Sequence, residues 1–502
     1  MDTRYIAAIE IGSSKIKGLI ASVGELGDIT LLAAEETKVS NCVRYGRISN
    51  VQEVTLHVNQ IIRKLENSPA VIPGKVSAVY LALGGRSFAT MAVQASTKLP
   101  SAIEITADTV ERLKREASFG LVVTDKETLA LLPKTFYVDN TQVKNVVGTI
   151  GSQIKAEFSA LVCAPDNKRN LERIKIETSE QQPKREYVYR PIAQADLVLS
   201  PDEKQIGCAL IDFGAETTTV SVYKDDVLQA IVTLPMGSRN ITRDLMAGLS
   251  MTEENAEMAK STVGSALTEG NETDNAKIEI NNYIQARAGE IIANIVHQIE
   301  AVGFKAQDLP GGLVFIGGGA KLSNFLKLAE AQTKMPVRAG KINSSITIKA
   351  NGIDLNENID IIAIAKYAAV NSDLNCLTRP VVVEPDDEAD DNTGYVGRAG
   401  GAVAGGRRPV SEDDENLLED DYDDDDDDRH FRPKKKKDHR RATKEPVDDI
   451  DEVLDDGDDP EDDRGDSGES GGILSRINKV KEKLAGFFAD KGAGDDLDEP
   501  TE

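Results

Sequence analysis

Short apolar runs closed by glycine or polar turns alternate with amphipathic stretches over the first 380 residues of the chain. Runs rich in Val, Ile and Ala predict strands, and they lie at Tyr5–Ile11, Ile16–Val23, Ala78–Leu83, Phe158–Ala164, Ile206–Asp212, Thr218–Tyr223, Val227–Leu234 and Leu313–Ile316. Apolar residues that recur every three or four positions predict helices, and these lie at Val51–Glu66, Thr106–Ala117, Asp166–Ile176, Ile241–Leu249, Glu253–Ser261, Asn281–Val302 and Asp360–Asn371. Thr106 is the expected N-cap of its helix. The alternation predicts an α/β fold.

Two of the predicted strand–turn–strand units share one polar pattern. Each ends its first strand with a carboxylate, places a glycine two residues later and has hydroxyl side chains nearby. The residues are Glu10, Gly12, Ser13, Ser14 and the following Lys15 in the first unit, and Asp212, Gly214, Thr217 and Thr218 in the second. Turn N–H groups can cradle phosphate oxygens, and glycine allows close approach to the backbone. The pattern favours a nucleotide triphosphate site, with two ordinary hairpins as the alternative.

A third glycine loop and the two carboxylates extend this interpretation. Gly317, Gly318 and Gly319 directly follow the predicted strand Leu313–Ile316. Glu10 and Asp212 can hold Mg²⁺ through waters, because Mg²⁺ sheds its hydration shell reluctantly. The duplicated unit, the third loop and their order along the chain together favour a nucleotide site over unrelated hairpins.

Charge is distributed unevenly along the chain. The 502 residues include 59 Lys and Arg against 85 Asp and Glu, a formal net charge of −26. Residues 384–502 contain 41 acidic and 18 basic side chains, so this segment alone carries −23. The rest of the chain is nearly neutral and has no basic stripe, which argues against a nucleic-acid-binding surface.

The cysteines, the histidines and the first residues exclude several other classes of protein. The four cysteines have no C-x-x-C spacing and the four histidines are dispersed, so neither a metal cluster nor a disulfide framework is expected. The N-terminus lacks the basic-then-apolar layout of a signal peptide. No apolar run reaches the roughly 20 residues that span a bilayer. A reduced, cytoplasmic protein is expected.

The composition changes after Pro380, and the chain ends in an amphipathic stretch. Residues 381–472 hold few large apolar side chains and include the run Asp423–Asp428, which predicts a disordered acidic linker.

Residues 473–490 have apolar side chains at spacings of four and three with basic residues around them, which predicts a helix in a membrane interface. Docking on the protein itself is the alternative. The expected lipid-contacting residues are Ile473, Leu474, Arg476, Ile477, Lys479, Val480, Lys481, Lys483, Leu484, Phe487 and Phe488. Anionic lipid would add about 1 kcal/mol for each Lys or Arg.

On these residues the chain resembles the actin/Hsp70/sugar-kinase superfamily. The two turns are similar to its two phosphate loops, and Val314–Ala320 is similar to its adenosine loop. Pro191–Ala195 and Ile364–Val370 are similar to its two connecting helices. Within the superfamily the chain most resembles the FtsA family of bacterial cell-division proteins, on Val79–Gly85, on Pro235–Asp244 and on a terminal amphipathic helix that follows a linker.

The resemblance implies an actin-like (ribonuclease H-like) fold of two domains around a nucleotide cleft. Domain I would comprise residues 1–85, 161–200 and 361–380, and domain II residues 201–360, with 236–305 as its outer subdomain. Residues 86–160 would be the inserted α+β subdomain that contributes to filament contacts in the family. The implied cofactors are ATP and Mg²⁺, with weak ATPase activity at most. The cofactor-binding residues implied beyond those above are Ala215, Glu216 and Lys321.

Two departures or alternatives remain within the implied site. Ala215 and Glu216 stand where FtsA relatives often have glycines, and a carboxylate there would repel phosphates unless it turns away or meets Mg²⁺. Gln194 matches a position where actin-like proteins place a polar residue thought to orient attacking water. A capping or core-edge amide is the alternative. The implied catalytic set is Gln194, Glu10 and Asp212.

The resemblance also implies partners: the C-terminal tail of FtsZ, further copies of this chain in filaments, anionic membrane lipid and other division proteins. Arg287 matches a family position linked to binding the FtsZ tail, with a helix ion pair to Glu290 as the alternative. The implied function is a membrane-tethered, ATP-binding scaffold that anchors FtsZ polymers to the cytoplasmic face of the inner membrane at the septum. A sugar kinase and a scaffold of the pilus-assembly or MreB type are the rival functions.

Overall fold

The computed structural model describes residues 3–25, 27–121, 125–178, 183–268, 270 and 272–378. The linker expected at 381–472 and the amphipathic helix expected at 473–490 lie outside the described residues. Within the described part, no helix combines the length and the apolar composition needed to cross a membrane.

The strands of the described residues form three main sheets and two short ladders. In chain order they are β1 (Arg4–Ile11), β2 (Lys15–Val23), β3 (Ile29–Lys38), β4 (Val43–Arg44), β5 (Arg47–Ile48), β6 (Lys75–Val76), β7 (Ala78–Leu83), β8 (Ala89–Glu104), β9 (Glu127–Val138), β10 (Thr141–Val143), β11 (Ile150–Cys163), β12 (Lys184–Tyr189), β13 (Cys208–Phe213), β14 (Thr218–Lys224), β15 (Val227–Leu234), β16 (Leu313–Ile316), β17 (Val337–Ala339), β18 (Ile348–Lys349) and β19 (Leu377–Thr378).

The α-helices of the described residues lie between these strands. They are α1 (Val51–Glu66), α2 (Ala107–Gly120), α3 (Pro165–Glu172), α4 (Arg190–Val198), α5 (Pro201–Ile206), α6 (Ser238–Leu249), α7 (Glu253–Met258), α8 (Asn275–Ala301), α9 (Phe325–Thr333) and α10 (Ile359–Asn371). A π-helical turn follows α7 at Ala259–Val263, and 3₁₀ turns occupy Ala306–Asp308 and Gly318–Lys321.

The first sheet has the strand order β12-β7-β1-β2-β3-β18. β1, β2 and β3 form an antiparallel meander, and β7 joins β1 in parallel. Ile6, Ala7, Ala8 and Ile9 are all buried, and because successive side chains point to opposite faces, β1 is covered on both sides. Helices α1 and α10 both pack against this meander.

The second sheet repeats that arrangement in the order β15-β14-β13-β16-β17. β13, β14 and β15 form an antiparallel meander, and β16 joins β13 in parallel. Its core includes three aromatic rings. Phe325 of α9 lies 4.8 Å from Phe213 and 5.4 Å from Phe315 between ring centroids. Phe213 ends β13 directly before the second predicted phosphate turn, so this aromatic packing supports the turn.

The third sheet has the order β10-β9-β11-β8 and packs with α2 around a separate apolar core. β11 pairs antiparallel with both β8 and β9 along most of its length. Thr106 caps α2 as expected, since its side chain accepts the Thr109 N–H at 3.3 Å.

Most predicted elements are confirmed. The helix Val51–Glu66 and the strands Ala78–Leu83, Val227–Leu234 and Leu313–Ile316 have the predicted bounds. The others are found with shifted ends. The largest shifts are at the starts of β11, predicted at Phe158 and found at Ile150, and α8, predicted at Asn281 and found at Asn275.

The clearest error concerns the start of the second half. The strand predicted from Ile206 begins at Cys208, because Pro201–Ile206 forms α5. Ser200 and Glu203 form a capping box at the start of α5, in which each side chain binds the backbone of the other. The helix predicted at Asp166–Ile176 also ends early, at Glu172.

Candidate functional site

The two predicted phosphate turns have the same backbone geometry. In each turn the glycine N–H donates to the carbonyl three residues later, from Gly12 to Lys15 and from Gly214 to Thr217, both at 2.9 Å. Each turn joins an antiparallel pair, β1 with β2 and β13 with β14. The repeat in the sequence is therefore a repeat in structure.

The hydroxyl groups of the turns are engaged by neighbouring backbone. Ser13 Oγ accepts the Gly46 N–H at 2.8 Å, and Thr218 Oγ1 donates to the Met236 carbonyl at 2.8 Å. Ser13, Thr217 and Thr218 are buried. These side chains hold the turns in place against the segments that follow β3 and β15.

The third glycine loop lies against the end of β13. Gly317 has a φ of +88°, and a Cβ at this position would lie 2.5 Å from the Phe213 carbonyl oxygen and 2.7 Å from Asp212 Oδ1. Both the conformation and the lack of space require glycine. Gly318 differs, because a Cβ there would meet nothing within 4 Å. The loop thus presents an open position one residue after its tightest contact.

A buried ionic network connects the strand ends of the first and second sheets. Arg190, the first residue of α4, lies 3.4 Å from Glu10 Oε1 and 3.2 Å from Asp212 Oδ2. Gln194, one turn further along α4, donates to Asp212 at 3.1 Å and to Asp360 at 2.7 Å. The exposed fractions of Glu10, Asp212 and Gln194 are 8%, 7% and 1%. The structure therefore brings the three predicted catalytic residues together around Arg190.

Loss of hydration dominates the electrostatics of this network. Burial raises the pKa of Glu10 to about 7, with Asp360 adding to the rise and Arg190 opposing it. Burial also raises the pKa of Asp212, again against the attraction of Arg190. Burial disfavours the charge on Arg190, but Asp212 and Glu10 outweigh this effect and raise its pKa. The guanidinium therefore stays charged.

Glu216 turns away from the predicted phosphate position into a cluster of arginines. Its side chain is fully buried, and Oε1 accepts from Arg239 and Arg243, each at 3.0 Å, with Arg44 at 3.4 Å. Oε2 accepts the Tyr45 N–H at 2.6 Å. A carboxylate at this turn was expected either to turn away from the phosphates or to meet Mg²⁺, and the structure shows that it turns away. Glu216 also ties α6 to the segment before α1.

The second turn is further held by the start of α6. The Ser238 and Arg239 N–H groups donate to the Gly214 and Ala215 carbonyls at 2.9 and 2.7 Å. A Cβ at Gly237 would lie 2.4 Å from the Ala215 carbonyl carbon. Only glycine allows this approach, so the predicted family segment that contains Gly237 shapes the turn directly.

The predicted lysines of the site contact carboxylates outside the network. Lys15 Nζ lies 2.8 Å from Glu36 on β3, and Lys321 Nζ lies 2.6 Å from Glu357. All four side chains are substantially exposed. Their assignment to nucleotide binding stays a prediction.

Arg287 forms the ion pair that was the alternative to partner binding, and a second pair as well. It lies 2.6 Å from Glu290 on its own helix, and it makes two hydrogen bonds, of 2.6 and 2.9 Å, with Asp244 of α6. The hydrogen bond to Asp244 raises the pKa of Arg287. The role of Arg287 toward a partner stays a prediction.

The sequence analysis missed the two residues that complete the network, Arg190 and Asp360. Both had a local signal: Arg190 directly precedes the segment similar to a connecting helix, and Asp360 begins the predicted final helix. It also missed the partners of Glu216. Two of them, Arg239 and Arg243, lie in Pro235–Asp244, one of the segments that resemble the FtsA family.

The structure brings together one group of potential metal ligands that the sequence analysis did not consider. Cys42 precedes α1, Glu53 and His57 lie on α1, and one potential ligand atom from each lies within 4.8 Å of the others. The expectation that no metal cluster is present stays a prediction. Cys42 is separated by 15 residues from His57 in the sequence, so the spacing gave no sign of this group.

The arginine cluster predicts a stability effect at Glu216. Glu216→Ala should lower the free energy of unfolding by about 2 kcal/mol, because it removes hydrogen bonds to charged groups and leaves guanidinium charges together. Glu253→Ala is the matched control: its exposed carboxylate lies 3.7 Å from Arg239, and its loss should cost no more than about 0.5 kcal/mol. Urea unfolding followed by circular dichroism measures both. Equal effects of the two variants would contradict the role of Glu216.

Comparison with known proteins shows similarity to one family. A family model described as "Cell division protein FtsA" matches residues 209–370, and one described as "SHS2 domain inserted in FTSA" matches residues 85–162. Cell division protein FtsA of Porphyromonas gingivalis is 28% identical over 387 residues, covering 73% of this chain and 79% of the relative. That of Bacillus subtilis is 26% identical over 363 residues, covering 67% and 78%.

A solved structure shows the same fold. The PilM-PilN type IV pilus biogenesis complex is similar with a TM-score of 0.52 and 15% identity, covering 73% of this chain and 97% of that chain. At this identity the similarity concerns the fold alone. The expected actin-like fold and its inserted subdomain are confirmed. The chain is therefore similar to cell division protein FtsA over residues 209–370 and to the SHS2 domain inserted in FtsA over residues 85–162.

Proposed function

We propose that this protein binds ATP between its first and second sheets and anchors FtsZ polymers to the cytoplasmic face of the inner membrane at the division septum. The observation that carries the nucleotide part is the convergence of the three glycine loops on one network. Arg190 contacts both strand-end carboxylates, and Gly317 lies against Asp212. Such loops provide the backbone N–H groups that cradle phosphates. Similarity to the FtsA family supports the division role over the sugar-kinase and MreB-type alternatives.

The three sheets support the proposed domains. We assign strands β1, β2, β3, β7 and β12 of the first sheet to domain I (1–85, 161–200 and 361–380) and the second sheet to domain II (201–360). The edge strand β18 of the first sheet lies within the range proposed for domain II. The third sheet belongs to the inserted subdomain (86–160), and the match of the inserted-domain family to residues 85–162 supports this assignment. In such a layout, nucleotide between domains I and II favours one relative orientation of the two.

Nucleotide binding with weak hydrolysis fits the environment of Gln194. Its amide nitrogen donates to both Asp212 and Asp360, and the residue is 1% exposed. Gln194 therefore positions the carboxylates, and this engagement disfavours a role in orienting an attacking water. The single buried guanidinium beside them provides charge without a proton to transfer at neutral pH.

Membrane attachment rests on the C-terminal segment. Residues 473–490 combine an apolar stripe with basic side chains, and the preceding acidic linker is repelled by anionic lipid. One short helix binds a membrane weakly, so head-to-tail filaments of this chain would gain membrane affinity through multivalency. FtsZ polymers would bind such filaments at their membrane-distal side through the FtsZ tail.

The open position at Gly318 gives a test of the nucleotide site. Gly318→Ile should weaken ATP binding at least tenfold, which is about 1.4 kcal/mol, because its side chain enters the space proposed for adenosine, where a Cβ at Gly318 meets no protein atom within 4 Å. Gly270→Ile is the control, since a Cβ at Gly270 also meets nothing within 4 Å. Isothermal titration calorimetry with ATP measures both. Unchanged affinity in Gly318→Ile would contradict the assignment of the adenosine loop.

Deletion of residues 473–490 tests the anchor. The shortened protein should remain in the supernatant when it is centrifuged with vesicles containing anionic lipid, whereas the full chain should pellet. Deletion of residues 455–472 removes an equal length of the neighbouring acidic segment and should leave pelleting intact. Pelleting of the protein that lacks residues 473–490 would disprove the anchor.

The ion pair of Arg287 permits a test of FtsZ binding. Arg287→Ala should weaken binding of an FtsZ C-terminal tail peptide about tenfold, because it removes a charged donor. Asp244→Asn frees the same guanidinium from its carboxylate and should preserve or strengthen binding. Fluorescence anisotropy of a labelled peptide measures both variants. If both substitutions weaken binding equally, Arg287 acts only by holding α6 and α8 together.

A further inference from the structure

Mg²⁺ is implied by the resemblance, and the two carboxylates expected to hold it already contact a cation of the chain itself. Arg190 has one terminal nitrogen 3.4 Å from Glu10 and the other 3.2 Å from Asp212. These are the two carboxylates expected to bind the ion. Mg²⁺ needs a near-octahedral shell of oxygens, most of them waters, around such carboxylates. A guanidinium in contact with both occupies part of that shell and repels a second cation.

The remaining contacts of Asp212 also favour the guanidinium. The oxygen of Asp212 that meets Arg190 accepts a hydrogen bond from Gln194 at 3.1 Å as well. Asp360, the third carboxylate of the network, is held by the same amide at 2.7 Å. The carboxylates of the network, held by Gln194 and Arg190, thus suit a fixed organic cation and do not suit a hydrated metal ion.

The position of Arg190 is set by the carboxylates. Its Nε is buried and has no hydrogen-bond partner within the described residues. It lies beside Gly84, where an added Cβ would be 3.5 Å away. A guanidinium has five N–H donors, so this side chain meets two carboxylates and still has donors in reserve. Apart from carboxylates, phosphate oxygens are the acceptors that a guanidinium binds most strongly.

We propose that Arg190 is the resident cation of the nucleotide cleft, and that ATP binds there without requiring Mg²⁺. This inference rests on the proposed function. A lysine would serve less well, because its ammonium is a single point charge that cannot contact both carboxylates through separate nitrogens. An arginine cannot be removed by a chelator, so the cleft keeps this guanidinium charge at any metal concentration.

The test compares ATP binding by the full chain in excess Mg²⁺ and in EDTA, by isothermal titration calorimetry. The two dissociation constants should agree within about threefold. A loss of tenfold or more in EDTA would overturn the inference and leave the proposed function intact. If the protein binds ATP in neither buffer, the proposed function fails and the inference fails with it.

Substitution of Arg190 gives the converse result. In Arg190→Met the carboxylates lack their cation, so ATP affinity in EDTA should fall at least tenfold and Mg²⁺ should restore most of it. Arg190→Lys keeps a positive charge and should show the smaller loss. Arg63→Met, which removes an exposed arginine of α1, is the control for folding, checked by thermal melting. An Arg190→Met protein that folds and shows no dependence on Mg²⁺ would also overturn the inference. If it does not fold, the comparison of the unchanged chain in the two buffers still decides.

Discussion

A charge that leaves water needs a partner, and in this protein one guanidinium serves two carboxylates from different sheets. Glu10 and Asp212 are the next-to-last residues of β1 and β13, and both are almost completely buried. Uncompensated burial of a carboxylate is costly. Arg190 satisfies both only if the two strand ends lie close to the start of α4. The position of the predicted phosphate turns, which follow these strands directly, depends on this contact.

Glu216 provides a second connection with the signs reversed. Here one buried carboxylate is shared by Arg44 from the segment before α1 and by Arg239 and Arg243 from α6. Its alignment is fixed further by the Tyr45 N–H. Any separation of the two sheets has to break contacts at both Arg190 and Glu216. The predicted phosphate turns therefore lie between two ionic connections, and a ligand that strengthened or relaxed either one would change how the sheets are oriented.

The local features of this site could be predicted from the sequence, and the long-range ones could not. A strand that ends in a carboxylate followed by glycine is recognisable within eight residues, and both such turns were found. Arg190 and Glu10 are 180 residues apart, and no periodicity relates them. Short α5 was missed, and its last residue, Ile206, was assigned to the next strand because it begins an apolar run that continues into β13. Strand β8 was missed because its side chains alternate only between half-buried and exposed, which gives a weak hydrophobic pattern.

The division of charge along the chain separates two kinds of electrostatics. Within the described residues the decisive charges are paired at 3.0 to 3.4 Å in buried surroundings, where salt screens them little. The acidic excess beyond residue 383 acts over a Debye length of about 8 Å at physiological ionic strength. If the proposed ATP binding controls the proposed membrane attachment, assembly of several copies would connect the two. The orientation of the sheets would affect whether copies assemble, and the number of assembled copies would set how many terminal helices bind the membrane together.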